Sequence, residues 1–124
     1  MARYFYRVAN LQGIDDCAVN ALCLTVGGTW VDNYRALCKC GETTFSMPNS
    51  KRAIDRYMVA HHYPKMMTSF CKGLTVGKFA DAYSSGVYYI LCANHATAVI
   101  DGVIYDAIDP SRRKVEAAYL IKGE

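Results

Sequence analysis

The chain has 124 residues, 52 % of them hydrophobic and 20 % charged, with a formal net charge of +3. That length and apolar content predict one domain, residues 1–124, with a packed core, and exclude a disordered chain. No apolar run reaches the roughly 18 residues of a spanning helix, and the mild basic excess, densest in Pro110 to Lys114, is too weak without a clustered stripe to point to nucleic acid, which is not expected as a partner.

The N-terminal "MARYFYRVAN" is aromatic and basic. It lacks the apolar core and small-residue cleavage site of a signal peptide, so a cytoplasmic location is expected. Six cysteines in such a chain are expected to be free thiols rather than disulfides. Cys38-Lys-Cys40 is shorter than the C-x-x-C of a zinc knuckle. A set drawn from Cys38, Cys40, Cys71, His61 and His62 is conceivable on paper, but packing roles are preferred, and no metal or cofactor is expected.

In "LQGIDDCAVNAL", Asp15 or Asp16 can cap a helix from about Cys17 to Val26, stopped by Gly27-Gly28. A second helix is expected from Asp32 to Cys40, with Tyr34, Leu37 and Cys38 inward, Cys40 fraying and Gly41 after the end. "MPNSKRAIDRYMVAHHYP" reads as a third, capped by Asn49 or Ser50, with Ile54, Tyr57 and Met58 in the core and Pro64 forbidding continuation. Thr75 can cap a short helix in "VGKFADAY". Then the pattern changes. "SSG" at 84–86 is a turn, and "VYYILCA" is β-branched, aromatic and too short for most helices. "HATAVI", Asp101-Gly102 and "VIYDAI" form a hairpin signal. "RKVEAAYLI" supplies a last strand, with helix as the competitor because of its alanines. Helices first and an antiparallel sheet after them make an α+β fold, with the helices segregated to one side.

Cys17 sits where free backbone N–H groups and the helix dipole stabilise a thiolate. Cys23 and Cys92, in apolar stretches, are expected to behave as small core residues. A thiolate nucleophile needs a base. Of the three histidines, His61 and His62 lie at a helix end, where capping explains them. His95 begins the hairpin strand. Asp106 or Asp109, on the return strand and at its end, can accept from one imidazole nitrogen and orient the ring. The Gln12 amide can donate a second hydrogen bond to an oxyanion, after the Cys17 backbone N–H.

Turn chemistry leaves the acid open. A two-residue Asp101-Gly102 turn pairs Ile100 with Val103 and brings Asp106 diagonally onto the His95 face. A three-residue loop with a bulge brings Asp109 there instead.

The order of these residues, with the "DC" of "IDDCAVNAL" and the "DP" of "YDAIDPS", resembles the papain-like cysteine peptidases. It is most similar to small phage and bacterial proteins of the bacteriocin-processing-peptidase type. The resemblance implies a minimal papain-like fold and a cysteine hydrolase acting on a peptide, isopeptide or amide. It implies Cys17, His95 and Asp109 as a triad, with Gln12 in the oxyanion hole and Asp106 as the alternative acid. It further implies a phage-encoded protein in the host cytoplasm, with a protein or peptide substrate and a host bacterial protein as a candidate partner. The alternative is a weakly active or inactive shell of the same fold that binds and modulates a host protein.

Overall fold

A computed structural model describes residues 5–7 and 16–123. Helices α1 (Cys17–Thr25), α2 (Trp30–Thr44) and α3 (Lys51–Ala60) come first, after a short strand β1 (Phe5–Arg7). Helices α4 (Thr68–Cys71) and α5 (Val76–Ala82) follow. Strands β2 (Val87–Cys92), β3 (His95–Ile100), β4 (Val103–Asp106) and β5 (Val115–Lys122) complete an α+β fold. The five-stranded sheet has the order β1-β4-β3-β2-β5. It is antiparallel except where β1 runs parallel to β4, pairing Arg7 with Asp106.

Local chemistry sets these elements. Gly27 and Gly28, at φ 93° and 89°, end α1 in a conformation that costs glycine little. The Asn33 side chain donates to the Gly27 carbonyl at 3.0 Å and holds the α1–α2 corner. Thr29, Ser50 and Thr75 cap α2, α3 and α5 by accepting from Asp32, Ala53 and Lys78 amides. Each satisfies one backbone donor that the first turn leaves unpaired.

Helix α2 is longer at both ends than the sequence suggests. Cys40 and Gly41 lie inside it, and Tyr34 is exposed rather than inward. Gly41 is interior because the chain folds back upon it: a Cβ there would stand 2.5 Å from the Ser46 carbonyl oxygen.

The sheet is covered on both faces, not one. Tyr89 and Leu91 of β2 pack with Leu22, Leu37, Ile54 and Met58 from α1–α3. Tyr88, Ile90 and Cys92 pack with Phe79, Val76 and Cys71 from α5 and α4. This is the period-two alternation of a strand buried on both sides. The late turn of helix at α4 and α5 supplies the second layer. Among the described residues no helix is long and apolar enough to cross a membrane.

Candidate active site

The hairpin register decides which side chains meet. Ile100 pairs with Val103, Val99 with Ile104 and Ala98 with Tyr105. Asp101 and Gly102 take positive φ angles of 50° and 78°, so they form the two-residue type I′ turn. Continuing the ladder sets Asp106 opposite Thr97 and diagonal to His95. The His95 Nε2 and Asp106 Oδ2 atoms lie 2.7 Å apart, both side chains nearly buried. The other carboxylate oxygen accepts from the Ala107 and Ile108 amides at 2.7 and 3.3 Å. Asp106 is therefore fixed from both sides.

Asp109, expected from the family resemblance as the partner of His95, does not fill that place. It is exposed, and its Oδ1 accepts from the Ser111 amide at 3.0 Å in a local turn. The two-residue turn is the reason, since the bulged loop that would have turned Asp109 toward His95 is not formed.

His95 is the first residue of β3, directly after a tight turn in which Asn94 adopts a left-handed φ of 53°. Arg113 donates to the Ala93 carbonyl at 3.1 Å and ties this turn to the segment before β5. Nε2 is held by Asp106, and the Cys17 and His95 side chains line one cleft, close enough that each shifts the other's pKa.

Cys17 opens α1, partly buried. Its neighbour Asp16 is the N-cap, but its carboxylate makes no capping bond. It turns away to accept from the Trp30 indole N–H at 3.1 Å, while its backbone carbonyl accepts from Asn20 at 2.8 Å. The amides of Cys17, Ala18 and Val19 thus precede the first intrahelical bond, where a helix presents donors to an anion. Tyr89, fully buried on β2, donates its hydroxyl to the Ala18 carbonyl at 3.0 Å and locks this first turn to the sheet. Sequence reasoning did not single out Tyr89, Trp30 or Asp16 in these roles, because all three depend on contacts between distant elements.

The electrostatics follow from the contacts. Burial pushes the Cys17 thiol up, but the hydrogen bond to His95, the Ala96 amide and the imidazolium charge outweigh it, and the thiol ends below its ordinary value. Burial alone would lower the His95 pKa. The hydrogen bonds to Asp106 and Cys17 and their charges reverse this and raise it to about 9. Both shifts favour a thiolate–imidazolium pair. The other cysteines contrast with this. Burial raises Cys40 and Cys71, and Cys92 to about 12. Cys23, expected in the core, is only half-buried, with Asn33 donating to its sulfur at 3.3 Å.

Cys17 and His95 open onto a cleft of about 380 Å³ walled also by Asn49, Ser50, Lys51 and Leu91. Gln12 lies outside the described residues. Among the described residues no cluster of three or more His, Cys, Asp or Glu side chains is placed to hold a metal ion. The chain matches no protein-family model, no curated protein and no solved structure.

Proposed function

We propose that this protein is a cysteine hydrolase of minimal papain-like architecture, cleaving an amide bond in a peptide or isopeptide substrate. The observation that carries the reading is the chain of contacts from the Cys17 sulfur through His95 to Asp106, with the thiol pKa lowered and the imidazole pKa raised.

In the proposed reaction the Cys17 thiolate attacks the carbonyl carbon. First-turn amides of α1 take the developing oxyanion. As the C–N bond breaks, the His95 imidazolium gives its proton to the leaving amine. A water then attacks the thioester, His95 takes a proton from it, and the acid product leaves with the thiolate restored. Asp106 touches no reacting atom. It orients the ring and stabilises the imidazolium.

The reading as a shell that binds a host protein draws on exposed apolar side chains, chiefly Phe45 at 94 % and Met47 at 69 % exposure. The test is a burst experiment with a p-nitrophenyl ester of an N-acylated amino acid. A burst of p-nitrophenol stoichiometric with protein is expected, with an acyl adduct on Cys17 by mass spectrometry and loss of both in Cys17→Ala and His95→Ala. No burst and no adduct, from a protein whose fold is intact, would favour the binding reading.

A further inference from the structure

Beside the Cys17 cleft lies a second cavity, of about 190 Å³, between the start of α1 and α2. The two share Ala18 and Asn49 as walls, so the second opens one residue away from the nucleophile. We propose that this cavity receives a large apolar side chain of the substrate. The proposal rests on the hydrolase reading and adds selectivity: the residue supplying the cleaved carbonyl is phenylalanine, leucine or methionine rather than a small or acidic one.

The walls carry the argument. Val19, Leu37 and Pro48 are apolar, and Trp30 stacks on Tyr34 with ring centroids 5.1 Å apart and planes 11° from parallel. One charged group lines the cavity, Asp16, and its carboxylate is already engaged by the Trp30 indole N–H. An apolar cavity of roughly 150 Å³ is enough to take a benzene ring, so this one accommodates a single aromatic or branched aliphatic side chain. Pockets of this kind, apolar with a few fixed polar groups, are the usual form of a specificity site.

The outer wall is held at a conformational cost. Phe45 caps α2 with a left-handed φ of 55°, which a bulky residue rarely adopts. The Ser46 amide donates to the Gly41 carbonyl at 2.9 Å. The chain can approach this closely only because Gly41 has no Cβ. The result brings Met47, Pro48 and Asn49 over the cavity, with the flexible Met47 thioether at its mouth.

The test compares rates of covalent labelling of Cys17 by three peptidyl vinyl sulfones that differ only in the residue before the warhead: Phe, Ala or Asp. The thiolate adds to the vinyl carbon and the carbon next to the sulfone takes a proton. Iodoacetamide, which carries no such side chain, reports the nucleophile alone. The Phe probe should label faster than the Ala probe by on the order of 10- to 100-fold, the range that apolar pockets achieve, and the Asp probe should be slowest. Met47→Asp, at an exposed position, and Tyr34→Ala should each cut the Phe preference severalfold while leaving the iodoacetamide rate unchanged. Equal rates for Phe and Ala, with iodoacetamide still selective for Cys17, would overturn the pocket and leave the hydrolase standing. Loss of iodoacetamide selectivity for Cys17 would overturn both.

Discussion

Replacing Asp106 by Asn removes the charge from the His95 partner while keeping its shape. In the native protein the His95 pKa is raised from 6.5 to about 9. One pKa unit corresponds to about 1.4 kcal/mol, so the partners together favour the imidazolium by roughly 3 kcal/mol over its desolvation. Asp106 contributes through both its hydrogen bond and its charge. Without the charge, burial, which lowers the value, is opposed only by Cys17 and by a weaker, neutral hydrogen bond to the amide oxygen. The sign for stability is that of a raised histidine. The contribution is full below about pH 6.5 and is lost as pH rises through about 9. The assay is an NMR titration of the His95 ring in the native protein, Asp106→Asn and Asp109→Asn. Native and Asp109→Asn should titrate near pH 9, and Asp106→Asn at least one unit lower. An unchanged midpoint in Asp106→Asn, or a fall in Asp109→Asn, would refute the assignment of the acid.

Three further outcomes are expected. Gly41→Ala should destabilise the fold by about 1–3 kcal/mol in chemical denaturation, because the new Cβ meets the Ser46 carbonyl oxygen, a backbone atom that gives way little. Tyr89→Phe should cost about 0.5–1.5 kcal/mol by removing the hydroxyl's bond to the Ala18 carbonyl, which keeps its donor within α1, and should slow alkylation of Cys17 because the first turn of α1 loosens. Peptide mapping after brief alkylation of the native protein should find Cys17 modified first, and Cys71 and Cys92, both buried with raised pKa values, last.

What was legible in the sequence was local. Ser50 and Thr75 announce helix starts, Pro64 bars continuation of the third helix, and Asp101-Gly102 between apolar runs announces the hairpin. The Cys17 and His95 positions at a helix start and a strand start come from the same signals, and the structure brings those two side chains together. What was not legible depends on register and on distant contacts. Asp-Gly suits both hairpin loops, so the choice between Asp106 and Asp109 lay in the folded ladder. Gly41 reads as a helix stop by propensity, yet it serves as the point where the 45–48 turn crosses the helix. The four residues of α4 carry no periodicity, and the three of β1 gain meaning only by pairing with β4.

The central claim is that Cys17 is a thiolate poised by His95. Its most direct test is the pH dependence of iodoacetamide alkylation at Cys17, mapped by mass spectrometry, in the native protein and in His95→Ala. The native rate should reach half its plateau below pH 9.0, the ordinary thiol value. In His95→Ala the midpoint should move up, since burial then acts on the thiol without its main counterweight. A native midpoint at or above 9, or one that His95→Ala leaves unmoved, would contradict the account.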